Sequence, residues 1–221
     1  MEEIKIITGP AQAEITEKKS RFIASVFEIH SEEEAAQILD AARKKYYDAR
    51  HNCYAYSLYK GSIITRSGDD GEPSGTAGKP ILEAITRAGY QNTLIIVTRY
   101  FGGILLGTGG LSRAYSQAAR DVLEKAQELG LSAPLYEGIC MQLTCDYSMS
   151  GKLQYIISQM QVRIQNTEYG QNVTMSLIVP CDRTNSFTEK ITEATNAASE
   201  IIIGDKVSYI MKNSTPIIYS L

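Results

Sequence analysis

The sequence predicts an α+β protein made of two α/β two-layer sandwiches, and three observations predict it. Runs rich in β-branched and aromatic residues alternate with stripes of helical period along the 221 residues. A helix stop, small residues and a proline coincide at Gly130-Leu131-Ser132-Ala133-Pro134, which divides the chain into domains 1–131 and 132–221. Beyond that break the order reads βαββαβ, a ferredoxin-like sandwich with both helices on one sheet face.

The first half opens with short strands at Ile4–Thr8 and Ala13–Thr16 and a longer one at Arg21–Ile29, read together as an antiparallel meander. Ser31 with Glu34 forms a capping box, and Ala35, Ile38, Leu39 and Ala42 follow at helical spacing to about Tyr46. A strand over Asn52–Tyr59 returns through Ser62–Arg66. A helix from about Lys79, with Pro80 in its first turn, ends at Gly89. Thr93–Thr98 is continuously apolar, as expected of a strand covered on both faces. Leu111, Tyr115, Ala118, Ala119, Val122 and Ala126 define the face of a last helix that runs to about Leu129. In the second half, strands are expected at Glu137–Asp146, Arg163–Tyr169, Val173–Val179 and Lys206–Met211, with helices over Ser148–Met160 and Thr184–Ser199.

The bulk composition excludes several classes. A net charge of −3 with 43% apolar residues describes a soluble globular chain and not a strongly basic nucleic-acid binder, so any nucleic-acid contact must come from a local patch. From Ser132 onward there are eight acidic and six basic residues, little field for a phosphate backbone. No apolar run is long enough to span a membrane, and Met1-Glu2-Glu3-Ile4 is acidic where a signal peptide is basic. The expected location is the cytoplasm, with no membrane partner. Cys53, Cys140, Cys145 and Cys181 have no CxxC spacing and are read as reduced core residues without zinc.

Function is concentrated in two glycine-rich stretches, since 11 of the 17 glycines fall between Gly61 and Gly110. Glycine is costly to order and is used where backbone takes φ > 0 or approaches another group closely. In the second stretch, Arg99, Gly102, Gly103, Gly107, Thr108, Gly109 and Gly110 stand at a strand-to-helix turn, where backbone N–H groups and the helix dipole favour an anion or a phosphate-bearing ligand. The alternative is a tight structural turn. No Walker loop is present, because Thr108 and Gly109 occupy the places of its Lys and Ser or Thr. In the first stretch, Asp69, Asp70 and Glu72 offer oxygen ligands for a divalent ion or form an acidic turn. His51 and Asp70 are the candidate catalytic residues, His51 alternatively being a hydrogen-bonded structural histidine. For nucleic acid, the basic and aromatic set is Arg50, His51, Arg99, Tyr100 and Arg113, the alternative for Tyr100 being a packing role.

At these stretches the chain resembles a known family, the IMPACT and YigZ-like proteins. His51-Asn52-Cys53-Tyr54-Ala55-Tyr56, the run from Asp69 to Pro80, and Arg99–Gly103 through Leu106–Leu111 stand in family order. The motifs cover about residues 20 to 125, and the second half is similar to the domain carried by bacterial members. The resemblance implies an N-terminal domain like the second domain of a small-subunit ribosomal protein, a fold shared with GHMP kinases. It also implies a ferredoxin-like C-terminal domain similar to one in elongation factor G. Both of these relatives handle RNA or nucleotides. Eukaryotic members are associated with translational control through the machinery that activates an initiation-factor kinase, but they carry an RWD domain for which this sequence leaves no room. That partner is not carried over, and the resemblance supplies no enzymatic activity and no cofactor. The expectation is a regulator linked to translation that binds RNA, the ribosome or a translation factor through its glycine-rich face. The alternatives are a small-molecule enzyme using that face for a phosphorylated ligand, and a protein-interaction module that uses the C-terminal sheet without chemistry.

Overall fold

The computed structural model describes residues 4–60, 62–212 and 215–219, so the acidic start at Met1–Glu3 and Gly61 lie outside the described residues. The chain divides into two compact units, one ending at Pro134 and the other beginning at Leu135.

The first unit contains β1 (Lys5–Ile7), β2 (Ala11–Glu17), β3 (Ser20–Glu28), α1 (Glu32–Lys45), β4 (His51–Tyr59), β5 (Ile63–Gly68), α2 (Gly78–Arg87), β6 (Tyr90–Gln91), β7 (Thr93–Tyr100), α3 (Gly107–Glu128) and β8 (Ser132–Pro134). Its main sheet has the order β2-β3-β7-β4-β5, and every pairing in it is antiparallel. Alternation along β7 explains its unbroken apolar run. Leu94 and Ile96 join Ala35 and Leu39 of α1 on one face, while Ile95 and Val97 join Ile81 of α2 and Tyr115 of α3 on the other. The expected meander does not form. β1 leaves the main sheet to pair in parallel with β6 and antiparallel with β8, so Ser132–Pro134 closes the first unit. The capping reading of α1 is concrete: Ser31 Oγ accepts from Glu34 N–H at 3.0 Å, and the Glu34 carboxylate accepts from His30 N–H at 2.7 Å.

The second unit contains β9 (Tyr136–Cys145), α4 (Tyr147–Gln159), β10 (Arg163–Tyr169), β11 (Val173–Pro180), a 3-10 turn at Cys181–Arg183, α5 (Thr184–Thr195), β12 (Glu200–Lys212) and β13 (Thr215–Tyr219). The sheet order β10-β11-β9-β12-β13 is the ferredoxin-like order with one strand added. Met141, Leu143, Met175 and Leu177 bury against Leu153 and Ile157 of α4 and Phe187 and Ile191 of α5, so both helices cover one face. Two boundaries differ from the sequence pattern. Helix α5 stops at Asn196, which takes a left-handed φ of 49°, three residues before the expected end. β12 runs through a register shift between Ile203 and Lys206, where Gly204 and Asp205 break the alternation that marks a strand, and it then returns as β13. The cysteine reading also changes. Cys53 and Cys145 are buried, but Cys140 is only partly so and Cys181 is exposed, because Cys140 alternates away from the core and Cys181 lies in the 3-10 turn.

A candidate ligand-binding cleft

Three neighbouring carboxylates organise the loop between β5 and α2, and each goes a different way. Asp69 accepts from the backbone N–H groups of Gly75, Gly78 and Ala77 at 2.8, 2.8 and 3.0 Å. Burial would raise its carboxyl, but those three donors outweigh it and hold the group below the ordinary carboxylate value. Asp70 accepts from Asn52 N–H at 2.7 Å and pairs with Arg43 at 3.1 Å. Glu72 turns inward, its side chain only 3% exposed. The oxygen-ligand reading of this trio therefore finds no common point, and among the described residues no group of three or more His, Cys, Asp or Glu is placed to hold a metal ion.

Glu72 meets Arg99 in the interior. Arg99 Nη1 lies 2.6 Å from Glu72 Oε1, to which Tyr115 Oη also donates at 2.8 Å. The second guanidinium nitrogen reaches Ser20 Oγ at 3.3 Å, which in turn accepts from Gly102 N–H at 3.2 Å. Arg99 lies within 5.4 and 5.6 Å of the ring centroids of Phe22 and Phe101, and its buried Nε has no hydrogen-bond partner among the described residues. Burial pushes the Cys53 thiol up to about 12, so it stays protonated, 3.0 Å from the Asp69 carbonyl oxygen and 3.3 Å from Tyr115 Oη. Burial likewise raises the Tyr115 hydroxyl far above its usual range and keeps it a donor.

At the edge of this network is a cleft of about 370 Å³ lined by Arg50, His51, Arg99, Phe101, Leu105, Gly107 and Thr108 among others. His51 Nδ1 is 2.8 Å from the Asp70 carbonyl oxygen, which can only accept, so Nδ1 carries the proton. Nε2 then faces the Glu72 carboxylate at 3.9 Å. Arg50 is exposed and has no carboxylate partner among the described residues. The first turn of α3 also opens here. Its N-cap is Leu106, which offers no side-chain acceptor, so the leading N–H groups are left without a side-chain cap.

Of the residues read as anion-binding, Arg99, Gly107 and Thr108 line the cleft, whereas Gly102, Gly103, Gly109 and Gly110 are not part of its lining. Gly102 serves the backbone: a Cβ there would lie 2.0 Å from the Lys19 carbonyl carbon. Gly107 takes φ +70° into open space, while Gly109 sits inside the helix with no positive φ. Of the nucleic-acid set, Arg50, His51 and Arg99 converge. Tyr100 instead donates to Asp48 at 2.8 Å, and Arg113 lines other surface grooves of α3. The sequence reading missed Leu105, Tyr115 and Ser20, and it missed Glu72 as the partner of Arg99. Leu105 was open to discovery, being an apolar residue inside a glycine loop.

An antiparallel sheet with this cleft, followed by a ferredoxin-like unit, defines a two-part α+β protein. The Impact N-terminal domain matches residues 18–123, and a domain of unknown function, DUF1949, matches residues 143–198. The chain belongs to the IMPACT family. It is 38% identical to the IMPACT family member YvyE of Bacillus subtilis (strain 168), with 90% of this chain and 89% of the relative covered. It is 32% identical to the IMPACT family member YigZ of Escherichia coli (strain K12), with 84% and 90% covered. A crystal structure of a hypothetical protein aligns with 91% of this chain and 97% of its own, at 30% identity and a TM-score of 0.54.

Two outcomes follow from the network. Glu72→Gln leaves the buried Arg99 without a counter-charge, and urea unfolding should show a loss of about 3 kcal/mol. Asp69 has a lowered folded value, so its contribution is present above the unfolded value of about 3.9 and is lost as pH falls through the folded one. Asp69→Asn should thus be less stable than the parent at neutral pH, with the gap closing in melts at progressively lower pH.

Proposed function

We propose that this chain is a cytoplasmic regulator linked to translation, and that the glycine-rich face of its first unit binds a phosphate-bearing ligand, RNA in the leading case. One observation carries the reading: the cleft sets Arg50, an uncommitted cation, beside the uncapped first turn of α3 and the exposed apolar wall of Phe101 and Leu105. Cation and helix N-terminus suit a phosphate, and an aromatic wall suits a base. Arg99 supports the site but spends its charge on Glu72. The link to translation rests on membership of a family whose eukaryotic members the sequence resemblance associates with translational control. No helix among the described residues is long and apolar enough to cross a membrane. A second reading, an enzyme acting on a phosphorylated small molecule, is favoured by His51, which lines the cleft with its Nδ1 anchored on the Asp70 carbonyl oxygen.

The test is fluorescence anisotropy with a short single-stranded RNA over a range of salt. Arg50→Gln is expected to weaken binding and to reduce the logarithmic salt slope by about 0.7. Gly107→Val, at φ +70°, should cost about 1 to 3 kcal/mol of backbone strain and abolish binding while the fold persists in a thermal melt. Unchanged binding in both variants would overturn the site. RNA binding absent from the parent, with turnover of a phosphorylated compound lost in His51→Ala, would favour the enzyme.

The two compact units, divided between Pro134 and Leu135 and not at 131/132 because β8 pairs with β1, are proposed to fold separately. Limited proteolysis near Leu135 should release two resistant pieces, each with its own cooperative melt, whereas one transition lost on cleavage would refute this.

A further inference from the structure

The second unit holds a cavity of about 550 Å³ on the sheet face away from α4 and α5, within the usual range for a small-ligand site. Alternation builds it. Met141 and Leu143 of β9 pack under the helices, so Tyr136 and Gly138 point to the opposite face, where Ile178 of β11 and Tyr209 of β12 join them by register. Gly138 makes room for the inner ring, since a Cβ there would stand 2.6 Å from Ile178 Cγ2 and 3.0 Å from Tyr209 Cε1. Tyr209 is 7% exposed, and Tyr136, at 39%, lies against it with centroids 5.4 Å apart and planes inclined by 32°. A buried ring thus backs an exposed one and offers a supported π-face.

The polar lining complements that face. Arg163 has no carboxylate partner among the described residues. Arg183 donates through Nη1 to the Met160 carbonyl oxygen at 3.2 Å, which fixes its guanidinium while its remaining donors are uncommitted among the described residues. Glu137 is neutralised by Lys206 at 2.8 Å, so Asp182 is the one lining carboxylate without a cationic partner among the described residues. Two guanidiniums suit a phosphate dianion, and a lone carboxylate beside them suits sugar hydroxyls.

We propose that this cavity binds a nucleoside monophosphate, with the base stacked on Tyr136, the phosphate taken by Arg163 and Arg183, and the ribose hydroxyls accepted by Asp182. The site lies wholly within residues 136–216 and does not rest on the reading of the first unit.

Calorimetric titration of the full chain with AMP, adenosine and ribose 5-phosphate tests it. AMP should bind saturably, with adenosine and ribose 5-phosphate each at least fivefold weaker, since each lacks one of the three recognised groups. Y136A should weaken AMP about tenfold and Y136F should not, which separates stacking from the hydroxyl. R163Q, at an exposed strand end, should abolish the advantage of AMP over adenosine, and it keeps the test decisive if Y136A loses stability. No saturable AMP binding, or AMP binding that Y136A and R163Q leave unchanged, would overturn the proposal.

Discussion

The buried pair of Glu72 and Arg99 ties together segments that are remote in the chain. Arg99 closes β7, Glu72 comes from the acidic loop 27 positions earlier, and Ser20 at the start of β3 lies 79 positions away. Removing either charge leaves the other stranded in a low-dielectric interior, so the interaction constrains the loop far more than an exposed pair of the same length. Asp69 holds the same loop around three backbone donors, so local hydrogen bonds and the long-range pair fix it together. The cleft inherits a rigid floor from both.

Rigidity below contrasts with exposure above. Phe101 keeps one face on Arg99 yet remains 41% exposed, and Leu105 is 83% exposed, in a segment whose glycines at 103 and 107 both take positive φ. Such a loop presents apolar side chains to solvent at no benefit to the core. Together with Arg50, it supplies groups for which the interior of the protein has no use.

The fold class was legible because its signals are local. The cap of α1, the double-sided strand β7 and the inward set of β9 each announce themselves within ten residues. The departures share one physical origin, which is pairing between distant segments. Nothing in Lys5–Ile7 says that its partners are β6 and β8 and not β2. Nothing in a two-residue interruption at Gly204-Asp205 separates a strand end from a bulge inside a longer strand. The cleft divides in the same way. Glycine density marked the turn before α3, but which glycine serves close approach, which serves positive φ and which merely begins a helix depends on what surrounds each: Lys19 at Gly102, open space at Gly107, and ordinary helical contact at Gly109. Carboxylates adjacent in sequence looked like one cluster and are three separate devices.

The added strand β13 has a consequence for how this protein behaves in a crowded solution. It stands at one border of a five-stranded sheet and β10 at the other, yet Gln165 of β10 donates to the Pro216 carbonyl oxygen of β13 at 3.4 Å. The sheet is curled enough for its two outer strands to meet. Pro216 also lacks the N–H that an incoming chain would need. A sheet bearing Ile202, Ile203, Ile217 and Ile218 at the surface would otherwise be a template for strand addition and fibrous self-association. Here curvature and a single imino acid withhold the border from other molecules while leaving the concave face accessible.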